Sequence, residues 1–343
     1  MDETNSPGRV SVVIPVHRGG ASFRECLASF VHADPPPHEL IVVADGGEDA
    51  DMATAEEFGI EALATPGRAG PAAARNLGAH AATGDIVFFI DADVVAPPDV
   101  IETVAGVFGR EPRVAAIFGS YDDAPARPNF LSQYKNLSHH YFHQTANEEA
   151  STFWSGCGAV RRDAFFAVGG FEEEYGDPCI EDIELGYRLR QAGHKIRLHK
   201  ALQVKHLKEW RLAGFLKAEI FSRAVPWAEL ILRHRQPGGD LNLRLSARVS
   251  LVAAYGVLIA LAATFVWPLS ALVAGGLAVV FLLLNARLYL FFGRKRGPVF
   301  ALMTIPWNWF YYIYGGLGFA IGVVRHLLRP RGAAAEGVSA EQD

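Results

Sequence analysis

Gly84–Asp93 reads GDIVFFIDAD. Five apolar residues, Ile86-Val87-Phe88-Phe89-Ile90, end abruptly in two aspartates one residue apart, Asp91 and Asp93. The run has the length and the β-branched and aromatic content of a buried strand. Buried parallel strands read as continuous apolar runs, and open α/β sheets bind ligands at the carboxyl ends of their strands. Carboxylates at such an end suit a divalent cation. Mg²⁺ and Mn²⁺ prefer oxygen ligands, and Mg²⁺ typically combines one or two carboxylates with substrate phosphates. The stretch points to metal-assisted chemistry on a phosphorylated donor, with Asp93 and Asp91 as ligands. A D-x-D triplet also arises in surface turns, so the surrounding sequence has to decide.

Upstream, Val10–Val16 and Glu39–Ala44 read as strands, the second ending in Asp45-Gly46-Gly47. Ala21–Val31, Asp51–Phe58 and Gly70–Ala82 read as helices, the last opened by Pro71, which suits a first helical turn. Ile60–Ala64 reads as a short strand. Downstream, Pro97–Phe108 is a helix pattern and Val114–Gly119 a strand. Alternating strands and helices predict an α/β domain with a mainly parallel sheet. Further on, Asn129–Gln144 reads as helical and Phe153–Val160 as a glycine-broken strand. Asp163–Val168 and Glu181–Ala192 read as helices, and Ile196–Leu198 as a late strand.

The chain has 343 residues and a formal net charge of −5, which gives no reason to expect nucleic acid as a partner. Its three cysteines, Cys26, Cys157 and Cys179, have no metal or disulfide spacing. Mean hydropathy is +0.14, and the apolar excess sits near the C-terminus. Val249–Trp267, Pro268–Ala286 and Val299–Val324 are uncharged runs, each long enough to span a bilayer. Arg244, Arg248, Arg287, Arg294, Lys295, Arg296, Arg325, Arg329 and Arg331 flank them, as the positive-inside rule would have it. The polar N-terminus lacks the apolar stretch of a signal peptide, so the first domain is expected in the cytoplasm. Leu207–Arg235 mixes Trp, Phe and Leu with Lys and Arg at helical spacing, the pattern of interfacial helices. The expected organisation is a catalytic domain over 1–206, interfacial helices over 207–248, about three membrane segments over 249–328 and a disordered tail over 329–343.

Several short signals occur in order: Ile14-Pro15-Val16-His17, Asp45-Gly46, Ala74-Arg75-Asn76, Asp91-Ala92-Asp93, Gly156-Cys157-Gly158, Gly169-Gly170-Phe171 and Glu181-Asp182. The set resembles the family-2 glycosyltransferases, inverting enzymes of GT-A fold. The resemblance covers about Val10–His206. Ser222-Arg223-Ala224-Val225-Pro226-Trp227 and the hydrophobic end look like the membrane-anchored branch. The resemblance implies a nucleotide-sugar donor, with a UDP-sugar expected, and Mg²⁺ or Mn²⁺ as cofactor. Pro15, His17, Asp45, Arg75, Asp91, Asp93 and His206 would bind the donor. Asp93 would ligate the metal most directly, and Asp91 would touch the ribose or the metal's water shell. Asp182 would be the general base, with Glu181 as the alternative. Gly156, Cys157 and Trp210 would face a lipid or glycan acceptor. The Tyr175–Ile180 insertion before the acidic pair would reshape the acceptor site. Gln203-Val204-Lys205-His206-Leu207-Lys208-Glu209-Trp210 carries Glu209 where processive synthases have arginine, which argues against processivity.

The expected activity is therefore sugar transfer to a hydroxyl at the cytoplasmic face of the membrane. A catalytically silent scaffold of the same fold is the alternative. A dinucleotide oxidoreductase would need G-x-G-x-x-G after the first strand, and His17-Arg18-Gly19-Gly20 does not supply it. His139, His140 and His143 lack partners at zinc spacing and are expected in a polar surface or acceptor loop. Three spans are favoured over two, although Pro306 could break the last run into a re-entrant or interfacial element.

Overall fold

The computed structural model describes residues 8–175, 177–234 and 245–328. The acidic N-terminus, part of the linker and the tail expected to be disordered lie outside these residues. The first half alternates β1 (Val10–Val16), α1 (Gly20–Val31), β2 (Glu39–Ala44), α2 (Asp49–Glu57), β3 (Leu63–Ala64), α3 (Pro71–Ala81), β4 (Ile86–Ile90), β5 (Val94–Val95), α4 (Val100–Arg110) and β6 (Val114–Tyr121). Then come α5 (Phe130–Thr145), β7 (Glu149–Ala150), β8 (Cys157–Arg161), α6 (Arg162–Ala167), α7 (Glu181–Gln191) and β9 (Lys195–His206).

The sheet runs in the order β3-β2-β1-β4-β8-β6-β9-β5, with β7 paired to β9. β3, β2, β1 and β4 are parallel. Beyond β4 the sheet is mixed, because β8 runs antiparallel to both β4 and β6. The mainly parallel reading thus holds for one half of the sheet. Residues 153–156 are irregular chain ending in a turn at Ser155 and Gly156 rather than strand, and β9 is longer than the Ile196–Leu198 segment expected.

β4 shows why its run is continuously apolar. Ile86, Phe88 and Ile90 point into one core layer, and Val87 and Phe89 into the opposite layer. Both faces are covered by helices, so neither can be polar. Burying a side chain such as Phe88 or Phe89 contributes about 2–3 kcal/mol.

After β9 come α8 (Leu212–Glu219), a π-helical turn (Ile220–Ala224) and α9 (Val225–His234), then α10 (Leu245–Ala263), α11 (Ser270–Arg296) and α12 (Pro298–Leu328). Among the described residues α10 and α11 are long and apolar enough to cross a membrane. α12 falls below that apolar measure but packs on both of them, with Trp309 Nε1 donating to the Ala254 carbonyl at 3.2 Å and Asn308 Nδ2 to Tyr289 Oη at 3.0 Å. It continues through Pro306 without breaking and also packs along the helices attached to the catalytic domain. Phe300 meets Phe130 of α5, and Trp307 and Tyr314 meet Phe215 of α8. Gly318 and Gly322 let the π-turn and α9 approach closely. A Cβ at either position would lie 2.6 Å from the Cβ of Ala224 or Ala228. The basic end of α11 docks on the catalytic domain, where Lys295 pairs with Asp123 and Arg296 Nε donates to Gln133 Oε1 at 2.5 Å.

Candidate active site

Strand register builds the site. β4 ends at Ile90, opposite Cys157, so Gly156 lies beside Asp91, and the Asp91 N–H donates to the Gly156 carbonyl at 3.3 Å. A Cβ on Gly156 would lie 2.8 Å from Asp91 Oδ2 and 2.7 Å from the Trp154 ring. Glycine is therefore needed here for close approach rather than for backbone freedom. On the other side, β5 pairs with β9 so that Val94 faces His206, and the Leu207 N–H donates to the Asp93 carbonyl at 2.8 Å. This register sets His206 Nε2 3.7 Å from Asp93 Oδ2. The imidazole stacks on Tyr121, ring centroids 4.0 Å apart. Burial pushes the Asp93 carboxyl up, but His206 and Lys208 outweigh it and hold the group below the usual range.

Arg75, on α3, is the central connector. Nη2 donates to Asp91 Oδ1 and Nη1 to Glu181 Oε1, both at 2.8 Å. The guanidinium is buried and lies over the Phe171 ring. Glu181 accepts a further bond from the Cys179 N–H at 2.9 Å. Asp182 faces the other way, accepting from the Ser155 N–H at 3.1 Å and the Ile183 N–H at 2.8 Å. Burial, then the Glu181 charge, pushes the Asp182 carboxyl up to about 6.

A cleft of about 480 Å³ opens at the carboxyl ends of β1, β2 and β4. Pro15, His17, Asp45, Arg75, Asp91 and Asp93 line it, so most of the residues expected to bind the donor meet there. His206 sits beneath, against Asp93. Asp45 uses its carboxylate to shape the loop into α3, accepting from Ala69 N–H, Gly70 N–H and Thr65 Oγ1. Gly70 takes a positive φ of 91° at this turn. Arg18, Arg68, Arg127 and Lys208 add positive charge to the cleft wall. Sequence reading assigned Arg18, Arg68 and Arg127 no donor role. Arg18 is the non-glycine residue of positive φ among the described residues, at 54°, its N–H held by Asp51 at 2.6 Å. Arg127 is held by the residue that follows β9, donating from Nε to the Leu207 carbonyl at 2.9 Å.

Three expectations change. Cys157 is fully buried in the sheet core, so its side chain is not on an acceptor surface. Trp210 packs on Phe215 beneath Lys208, at the junction between the domain and the helices. The α5 histidines pack inward rather than on a polar surface. His140 Nδ1 donates to the Tyr121 carbonyl, His143 Nδ1 to the Gly119 carbonyl, and His139 packs between Tyr121 and Trp154. Burial drives His143 down to about 4, so it is neutral at physiological pH. The insertion before the acidic pair leans toward the cleft: Pro178 lines it and Asp177 pairs with Arg68 at 2.6 Å.

Residues 11–168 match the family model described as Glycosyl transferase family 2. This segment is a family 2 glycosyltransferase domain of GT-A-like fold. The chain is 28% identical over 222 residues to the glucosyl-dolichyl phosphate glucuronosyltransferase of Haloferax volcanii, covering 59% of this chain and 71% of that protein. It is 30% identical over 236 residues to the pre-mycofactocin glycosyltransferase of Mycobacterium tuberculosis. That match takes in 66% of this chain but 48% of the relative, so the chain spans about half of that protein's length. Among solved structures, the mannosyltransferase PcManGT of Pyrobaculum calidifontis superimposes with a TM-score of 0.59 at 19% identity, over 94% of this chain and 89% of that one. This likeness establishes the fold.

Proposed function

We propose that the chain is a metal-dependent, inverting glycosyltransferase that moves a sugar from a nucleoside-diphosphate donor to a hydroxyl on a lipid or lipid-linked acceptor. The observation that carries the proposal is Arg75, which ties Asp91 at the donor cleft to the acidic pair that opens α7. Donor and acceptor chemistry are thereby held in one rigid unit.

In this reading Asp45, His17 and Pro15 border the nucleoside, and the cationic wall of Arg18, Arg68, Arg127 and Lys208 receives the diphosphate. Among the described residues no group of three or more His, Cys, Asp or Glu side chains could hold a metal unaided. Asp93 and Asp91, with the His206 imidazole alongside, would supply part of the shell of Mg²⁺ or Mn²⁺ and the donor's phosphates the rest. Such an ion would offset negative charge on the departing diphosphate. The mannosyltransferase of the same fold was solved with GDP-Man and Mn²⁺. Glu181 is occupied by Arg75, so Asp182 takes the proton of the acceptor hydroxyl as that oxygen attacks the anomeric carbon. With a single free carboxylate as base, inversion is the outcome.

α10 and α11 are placed in the membrane. The basic end of α11, Arg294-Lys295-Arg296, touches the catalytic domain, so domain and positive cluster share one side. The positive-inside rule makes that side cytoplasmic. α12 packs against α10, α11 and α9.

The test is binding of nucleoside diphosphates and nucleotide sugars to detergent-purified protein, with and without Mn²⁺ or Mg²⁺. Metal-dependent binding of one nucleotide, lost in Asp93→Asn, is expected. Absence of binding by folded protein would return the domain to a silent scaffold.

A further inference from the structure

The proposed reaction uses the cleft carboxylates and Asp182 but leaves the buried histidines of α5 without a role. Asn136, His140 and His143 stand on one face of that helix, at the i, i+4, i+7 spacing of a helical stripe. Asn136 Nδ2 donates to the Asp122 carbonyl at 2.7 Å, His140 Nδ1 to the Tyr121 carbonyl at 2.8 Å and His143 Nδ1 to the Gly119 carbonyl at 2.9 Å. The stripe therefore runs antiparallel to the end of β6 and grips it where its register on β9 shifts, between Phe118 and Ser120. Tyr121 is held from both sides, because its N–H also donates to His139 Nδ1 at 3.5 Å.

His140 makes a second contact, on the membrane side. Its imidazole lies nearly parallel to the Phe291 ring of α11, with centroids 6.0 Å apart and planes at 16°. Around it Tyr141 meets Phe291, Tyr134 meets Phe292 and Gln133 accepts from Arg296. The basic end of α11 is thus seated along α5, and His140 continues that seat inward. Beyond it the Tyr121 ring stacks on His206, centroids 4.0 Å apart and planes at 11°, and His206 Nε2 is 3.7 Å from Asp93 Oδ2. His140, Tyr121 and His206 are all buried, and close-packed interiors transmit displacement rather than absorb it.

We propose that His140 is a positioning residue for Asp93, carrying the seat of α11 on α5 through Tyr121 to His206, so that the membrane helices set the geometry of the metal site in the donor cleft. This rests on the metal-dependent transferase reading and adds a control of that site from the membrane part. When His140 is truncated the Tyr121 carbonyl still accepts from Ser120 Oγ, now at 3.0 Å, which favours a folded variant.

The experiment follows the ring signal of His206 by NMR in the full chain, labelled at histidine and held in nanodiscs; the signal is the one missing from His206→Gln. Stacking on Tyr121 shifts it upfield, and Mn²⁺ alone, bound at Asp93, broadens it. Phe291 does not line the cleft. Phe291→Ala is nevertheless expected to move the His206 signal and to raise the Mn²⁺ concentration for half-broadening about fivefold, as changes along a coupled chain of side chains do. His140→Ala should do the same. His140→Asn keeps a donor for the Tyr121 carbonyl but loses the ring against Phe291, so it should restore much of the wild-type signal and make Phe291→Ala silent. An unchanged His206 signal in folded Phe291→Ala, or effects of Phe291→Ala and His140→Asn that simply add, would overturn the assignment. Absence of Mn²⁺ broadening in wild type would count against the metal reading, while the position of the signal would still decide whether His140 acts on His206.

Discussion

Arg75 Nη1 lies 2.8 Å from Glu181 Oε1, with both side chains 6% exposed. The pair divides the work between two adjacent carboxylates. Glu181 is committed to Arg75 and to the Cys179 N–H. Among the described residues no cation hydrogen-bonds Asp182, which accepts instead from backbone N–H groups and, weakly, the Ser155 hydroxyl.

Asp182→Asn should lower turnover by about 10²–10⁴ while nucleotide binding persists, since loss of a general base removes that much. The pH profile gives the sign. Asp182 is raised to about 6 and must be ionised to accept a proton. Wild-type kcat/KM should therefore fall as pH drops through about 6, and the acid limb should vanish in the variant. A profile flat down to pH 5 would remove Asp182 from this role.

Arg75→Met should destabilise the fold by about 3 kcal/mol, because it strands a buried Glu181 without its counter-charge. Thermal unfolding measures it. Arg75→Met combined with Glu181→Gln should recover much of the loss, which a simple packing defect would not allow.

Gly156→Ala should weaken donor binding with little change in unfolding temperature. The added methyl meets Asp91 Oδ2 and the Trp154 ring. The partly exposed Asp91 side chain can move away, and in moving leaves its position in the cleft. Calorimetric titration with the nucleotide in the presence of Mn²⁺ would detect a drop of about tenfold, the effect of some 1.4 kcal/mol.

Chelation should remove nucleotide binding, and added Mn²⁺ or Mg²⁺ should restore it. His206→Ala should raise the metal concentration needed, read as a shift of the metal titration midpoint. Full nucleotide affinity in excess EDTA would exclude the metal-bridged donor.

Gly322→Leu should separate α9 from α12 and cost about 1–3 kcal/mol through overpacking. A Cβ there already approaches the Val225 carbonyl at 2.6 Å. Leu317→Ala, at a side chain left 52% exposed by the helices, should change little. Unfolding of the detergent-solubilised pair separates the two.

The strands of the parallel half were legible because their signal is local. Val10–Val16, Glu39–Ala44 and Ile86–Ile90 occur as read. The antiparallel insertion of β8 was not legible, since neither composition nor periodicity encodes strand direction. The α5 histidines were misplaced for a similar reason. Polar residues on a helix read as exposed until β6 supplies the carbonyls that receive them.

The sequence by itself determined that Asp91 and Asp93 end a buried strand, that an acidic pair opens a helix, and that apolar helices follow. These are short-range patterns, written in periodicity and capping. Tertiary structure alone decided that Arg75 reaches across 106 positions to Glu181, that Gly156 admits Asp91, and that His206 faces Asp93. It also decided that α12 lies against α8 and α9. Each of these depends on register and helix approach between distant segments, where a shift of one residue turns a side chain to the opposite face of the sheet.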